Sequence, residues 1–270
     1  MHTPSVVRSN DGTPLSYWRE GSGPPLLLVH GGLCDHLAWH FAGPLLARRF
    51  TVWTFDRRAH GCSGDGQPWT VERELEDLLT LLRVIGEPAH LLGHSAGAIL
   101  ALRAAQLTDR VRSLILYEPP FLIHGARERP GAELLGEMKR LLDSGKPDEA
   151  LRIAMRETVD LSDDEINAMQ ASPGWEHLRD AARAIPNDWK IWQEPFNAES
   201  LRNLTIPAVV LTGTDSPAWI RLGALAVLHA LPAAQLAELP RQGHSAMITA
   251  PDLFAETVER FVSRQRGGGQ

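Results

Sequence analysis

The sequence predicts an α/β fold: a doubly wound, mostly parallel sheet with a helical cap inserted before the last two strands. Three observations lead there. Short, continuous apolar runs recur along the chain, as strands covered on both faces require. Stretches with apolar residues every three or four positions separate most of these runs and read as right-handed helical crossovers. One interval, from about residue 121 to 203, drops the alternation and reads as helix throughout.

Taken in order, Val6-Val7-Arg8 and Leu15-Ser16-Tyr17-Trp18 flank Asn10-Asp11-Gly12, a turn whose glycine accepts positive φ, so the chain opens with a β-hairpin. Pro25 to Val29 is the first fully apolar strand. Similar runs follow at Thr51 to Phe55, Ala89 to Leu92, Ser113 to Tyr117, Ala208 to Leu211 and Gln235 to Leu239. Glu74 to Ile85 puts Leu75, Leu78, Leu79, Leu82 and Ile85 on one helical face and stops at Gly86. Ala96 to Leu107 and Leu253 to Val262 repeat that pattern, the latter with Pro251 near its first turn. In the all-helical interval, Ala132 to Asp143 and Asp148 to Thr158 are helices, and Ser162 opens a third with Glu165 as its capping-box partner. The expected organisation is a core at 1–120 and 204–265, a helical lid at 121–203 and a mobile tail at 266–270.

Composition limits the function. With 27 Lys+Arg against 33 Asp+Glu the formal charge is −6, and no basic cluster offers a footprint for nucleic acid. No apolar run reaches the roughly 20 residues that span a bilayer. The first ten residues lack a secretion signal, and Cys34 and Cys62 read as reduced thiols, so a cytoplasmic location is expected. The expected partner is a small-molecule substrate, with neither nucleic acid nor membrane, and a homodimer stays open. No cofactor is expected.

The chemistry centres on Gly93-His94-Ser95-Ala96-Gly97, a G-x-S-x-G string between an apolar strand and a helix. A sharp strand-to-helix turn pushes such a serine into a cleft, and a Cβ at either glycine would collide where the elements cross. A serine hydroxyl needs a base. His244, in the loop after the last strand, lies at the same sheet edge. Asp215, two residues beyond Gly213 at another strand end, is the expected carboxylate to orient it.

Ser95 in its turn, the order Ser95, Asp215, His244, and His30-Gly31-Gly32 after an apolar strand together resemble the α/β-hydrolase superfamily of esterase, lactonase and haloperoxidase type, over nearly the whole chain. Asp56 to Gly64 also resembles the family's loop after its next strand, where Asp56 and Arg57 are structural. The resemblance implies an oxyanion hole from the backbone N–H groups of Ala96 and Gly32, with Leu33 as the alternative to Gly32. It departs from many relatives in placing Asp215 two rather than three positions after its glycine. Some members of the superfamily, notably certain dehalogenases, place their acid at the end of the strand that here runs Ser113 to Tyr117, which makes Glu118 the alternative acid. A serine rather than an aspartate in the elbow disfavours dehalogenase and epoxide hydrolase chemistry. The expected activity is hydrolysis of a small, apolar or aromatic ester or lactone through an acyl-enzyme on Ser95. The alternatives are C–C bond hydrolysis, perhydrolysis or cyanohydrin cleavage by the same triad, and a small-molecule receptor.

Two further readings concern the cleft. Of eight Trp, Trp175, Trp189 and Trp192 fall in the lid, Trp39 follows the His30-Gly31-Gly32 loop and Trp219 follows Asp215. They are the expected substrate-binding residues, an indole-walled pocket. His36 and His40, four apart beside Asp35, have the spacing of metal ligands but no evident third partner, so no metal is expected.

Overall fold

The computed structural model describes residues 3–128, 131–172 and 174–267, without the side chains of the last two. Eight strands form one sheet: β1 (Ser5–Arg8), β2 (Pro14–Glu20), β3 (Pro25–Val29), β4 (Thr51–Phe55), β5 (Ala89–His94), β6 (Val111–Tyr117), β7 (Ala208–Gly213) and β8 (Ala234–Leu239). Their spatial order is β1-β2-β4-β3-β5-β6-β7-β8. β1 and β2 pair antiparallel as the opening hairpin, with Gly12 at φ +85° in its turn, and β2 meets β4 antiparallel; every later pairing is parallel.

Side chains alternate between the faces of β3. Leu27 and Val29 join the core under α2 (Val71–Ile85), α3 (Ala96–Ala105) and α9 (Ala218–Ala230), while Leu26 and Leu28 join the core under α1 (Ala42–Leu46) and α11 (Pro251–Gly267). Both faces are covered, which is why the strand reads as an unbroken apolar run. α11 continues to Gly267, past the expected start of the tail at 266, and Gly268 to Gln270 lie outside the described residues.

Between β6 and β7 come α4 (Ala132–Asp143), α5 (Pro147–Val159), α6 (Asp163–Gln170), α7 (Trp175–Ala181) and α8 (Ile185–Trp192). The Ser162 hydroxyl accepts from the Glu165 N–H while Glu165 Oε2 accepts from the Ser162 N–H, the capping box the sequence predicts. These helices have an apolar cluster of their own, in which Met138, Leu151, Ile166 and Trp175 are buried and which extends to Trp219 and Ile220 of α9. A 3-10 turn at His36–Trp39 and the short helix α10 (Ala246–Thr249) lie near the site.

Candidate active site

β5 passes straight into α3 through one residue. Ser95 takes φ 53° and ψ −124°, and its N–H donates to the Tyr117 carbonyl at 2.9 Å. A side chain in that region costs of order 1–3 kcal/mol, which the surroundings must impose. They do so through close approach: a Cβ on Gly93 would lie 2.4 Å from the Gly97 carbonyl oxygen, and one on Gly97 2.4 Å from the carbonyl oxygens of Val29 and His30. The two glycines thus let α3 pack against β5 and β3, leaving Ser95 half-buried on a cavity wall.

His244 reaches the same cavity from the loop after β8. The Tyr117 hydroxyl donates to the Gly243 carbonyl and accepts from the Ala246 N–H at 3.0 Å, bracketing His244. His94 Nε2 donates to the His244 carbonyl at 2.8 Å. Burial, then the neighbouring His244, holds the His94 imidazole well below the usual histidine range, so it stays neutral beneath the loop.

The side chain that meets His244 is Glu118. Its Oε2 lies 2.5 Å from His244 Nδ1, and its Oε1 accepts from the Gly213 N–H at 2.7 Å, the Ser216 hydroxyl at 2.5 Å and the Thr212 hydroxyl at 3.2 Å. Burial would push this carboxyl up, but the bonds from His244, Ser216 and Gly213 outweigh it and hold it below the usual range. Asp215, the expected partner of the imidazole, stands apart. It is exposed at the cavity rim, with Oδ1 accepting from the Thr214 hydroxyl at 3.0 Å. The placement of Glu118 rather than Asp215 at the imidazole has a backbone cause. Glu118 turns at φ 49° and donates its N–H to Leu211 at 3.0 Å, which tucks the carboxylate under the end of β7 where three donors converge.

Ser95 and His244 share a cavity of about 690 Å³ with Gly32, Leu33 and Ala96. The Leu33 N–H donates to Asp188 Oδ2 at 3.0 Å. The N–H groups of Gly32 and Ala96 have no hydrogen-bond acceptor among the described residues. A hydroxyl, an imidazole backed by a carboxylate, and two unengaged N–H groups are the parts from which acyl transfer is built.

Residues 26–257 match the model of the alpha/beta hydrolase family. The chain belongs to that family. An alpha/beta hydrolase from Sphaerobacter thermophilus is 34% identical and superposes with a TM-score of 0.89 over 96% of this chain and 100% of its own. An enol-lactonase from Burkholderia xenovorans shares the fold at 20% identity, with a TM-score of 0.77 over 96% and 100%. Among curated relatives, the uncharacterized hydrolase YraK of Bacillus subtilis is 32% identical over 48% of this chain and 50% of its own length. The pimeloyl-[acyl-carrier protein] methyl ester esterase of Aeromonas hydrophila is 26% identical over 92% and 99%. The chain spans half or less of the length of the first curated relatives it matches.

In this alpha/beta hydrolase the five indoles expected at the cleft divide. Trp189, Trp192 and Trp219 line the cavity, with ring centroids 5.1 Å apart in the first pair and 6.0 Å in the second. Trp219 Nε1 donates to Asp160 Oδ2 at 2.5 Å, and the Arg127 guanidinium sits 4.7 Å from the Trp219 ring centre and 2.9 Å from Asp160 Oδ1. Trp39 and Trp175 lie elsewhere. The 3-10 turn at His36–Trp39 carries Trp39 into the core beside Phe254, 6.3 Å between ring centres. Trp175 is held among the inserted helices by a 2.7 Å bond from its Nε1 to Asp148.

His36 Nδ1 lies 2.7 Å from Asp56 Oδ1, with Asp35 close by, and His40 is not part of this group. Its oxygens are already engaged: Asp56 accepts from the N–H groups of His36 and Cys62, and Asp35 from that of Leu37. The group therefore holds loops together. No helix among the described residues is long and apolar enough to cross a membrane.

Sequence reasoning missed Asp188. Its Oδ1 accepts from Arg57 Nη2 at 2.9 Å, and its Oδ2 lies 3.2 Å from His60 Nε2. Arg57 also pairs with buried Glu74, at 2.9 and 3.1 Å. Burial would raise the Asp188 carboxyl, but His60, Arg57 and the Leu33 N–H outweigh it and hold it far below the usual range. A signal was present. Ile185, Asp188, Trp189 and Trp192 stand at i, i+3, i+4 and i+7, so a carboxylate occupies the apolar stripe of its helix.

Proposed function

We propose that the protein is a serine hydrolase that cleaves a small, apolar or aromatic carboxylic ester or lactone through an acyl-enzyme on Ser95. The observation that carries this reading is the convergence on one cavity of Ser95, held at positive φ, and His244, whose Nδ1 is bonded to buried Glu118. With Nδ1–H donated to Glu118, the imidazole keeps Nε2 as the basic atom.

In the proposed cycle His244 takes the Ser95 proton as Oγ attacks the substrate carbonyl. The N–H groups of Gly32 and Ala96 bind the oxyanion, that of Ala96 at the N-terminus of α3, where the helix dipole favours negative charge. Collapse returns the proton to the leaving oxygen and leaves the acyl group on Ser95. A water deprotonated by His244 then attacks the acyl carbon, the bond to Ser95 Oγ breaks, and the imidazolium returns its proton to Oγ as the acid leaves. Glu118 stabilises the imidazolium in both halves. Trp189, Trp192 and Trp219, together with Met155 and Ile220, offer the acyl or alcohol group an apolar wall, and the helices 121–203 act as the lid that carries much of it.

The test is labelling with a fluorophosphonate followed by peptide mass spectrometry, with a panel of p-nitrophenyl esters in parallel. The adduct is expected on Ser95, with hydrolysis of short-chain or aromatic esters. Absence of an adduct on Ser95 in folded protein overturns the reading.

A further inference from the structure

The proposed oxyanion hole has an unusual support: a carboxylate contributed by a helix of the inserted segment. We propose that Asp188 is a positioning residue that, with Arg57, fixes the peptide planes on both sides of Gly32; the inference rests on the serine hydrolase reading.

A trans peptide is planar, with its C=O and N–H pointing in opposite directions, so holding one end of the plane aims the other. The Gly31 carbonyl accepts from Arg57 Nη1 at 3.0 Å and from His30 Nδ1 at 2.8 Å. That fixes the plane to which the Gly32 N–H belongs. The next plane is held at its N–H end, where Leu33 donates to Asp188 Oδ2 at 3.0 Å. The two anchors are tied to each other by the 2.9 Å ion pair between Arg57 Nη2 and Asp188 Oδ1. Just beyond the second plane the chain turns at Leu33, with φ 54°, a conformation uncommon for a leucine. The carboxylate also crowds the glycine. A Cβ on Gly32 would lie 3.1 Å from Asp188 Cγ and Oδ2.

The arrangement has two chemical consequences. Engaging the Leu33 N–H leaves the Gly32 N–H as the donor for an oxyanion. A carboxylate so near a developing negative charge opposes the reaction, and Arg57, fully buried and shared with Glu74, offsets part of that charge. Because Asp188 belongs to α8, the hole is complete only while that helix is seated on the core.

The experiment compares wild type with Asp188→Ala and Asp188→Asn, using p-nitrophenyl butyrate for kcat and KM, an alkylboronic acid as tetrahedral analogue, and thermal melting to establish folding. Asp188→Ala is expected to lower kcat about 10- to 100-fold, part of the loss seen when an oxyanion donor is deleted outright. KM should stay within about 3-fold, and boronate affinity should fall in parallel with kcat. Asparagine keeps an acceptor for Leu33 but turns its NH₂ toward Arg57 Nη2, so Asp188→Asn is expected to recover only part of the lost kcat and affinity. A purely structural role would lower the melting temperature of both variants without weakening the boronate selectively. If Asp188→Ala does not fold, Asp188→Ser, which keeps a small polar group at the position, carries the same comparison. A folded Ala or Ser variant with wild-type kcat and boronate affinity overturns the inference while leaving the hydrolase reading intact. A wild-type protein that turns over no ester and takes no fluorophosphonate overturns both.

Discussion

Replacing Glu118 with glutamine preserves shape and removes one charge, and the structure dictates what the new amide must do. Three donors converge on Oε1: the Gly213 N–H, the Ser216 hydroxyl and the Thr212 hydroxyl. Among the described residues only His244 Nδ1 faces Oε2. The amide oxygen therefore takes the Oε1 position, since the reverse placement buries an NH₂ against the Gly213 N–H at a cost of about 1–3 kcal/mol per unsatisfied group. The NH₂ then points at Nδ1, which must become an acceptor, and the ring proton moves to Nε2. That tautomer cannot deprotonate Ser95. The expected loss is about 10⁴-fold in kcat, the scale of a wrongly set tautomer, or about 5.4 kcal/mol at 1.36 kcal/mol per decade. Asp215→Asn, altering an exposed group bonded only to its neighbour's hydroxyl, should stay within about 3-fold of wild type. The assay is steady-state ester hydrolysis normalised by fluorophosphonate titration, with circular dichroism to verify folding. The reasoning is refuted if Glu118→Gln keeps more than a tenth of the activity while Asp215→Asn abolishes it.

Three other outcomes are expected. Glu118 and Asp188 are both held below the ordinary carboxylate range in the folded protein, so the unfolded chain binds their protons more readily. Their contribution is complete above the ordinary value near 4 and is lost as pH falls through the lower folded values. Urea midpoints should hold between pH 6 and 8 and drop below about pH 4, with a shallower drop in Glu118→Gln; equal slopes would contradict this. Gly97→Ala drives a methyl into two carbonyl oxygens of the neighbouring strand end and should cost about 3 kcal/mol or more, read as a lowered denaturation midpoint or insoluble expression. Trp192 Nε1 is buried without a hydrogen-bond partner among the described residues, so Trp192→Phe should fold normally, deepen the cavity and move the best p-nitrophenyl ester toward longer acyl chains; an unchanged optimum counts against the indole as a wall.

How much of this was legible in the sequence depended on the range of the interaction involved. Pro25–Val29 and Thr51–Phe55 were read to the residue, because a strand covered on both faces announces itself locally. The strained turn at Ser95 was as plain, since the glycines it requires are near neighbours. The choice between Glu118 and Asp215 was not. Both end strands at the same sheet edge, and what separates them is a positive φ at Glu118, which no local pattern marks for that residue type. Trp39 misled for a related reason: adjacency to the Gly32 loop suggested the cleft, but the 3-10 turn buries the ring in the core beside Phe254. Asp188 reaches Leu33 across 155 positions of sequence, and only its place on an apolar helical stripe hinted that its charge was buried for a purpose.

The most direct test of the central claim is to trap the acyl-enzyme. Wild-type protein mixed with a p-nitrophenyl ester and acid-quenched within the first turnover should carry one acyl group, mapped by peptide mass spectrometry to Ser95, and Ser95→Ala should carry none. An acyl group on another residue, or turnover by Ser95→Ala at the wild-type rate, would contradict the account.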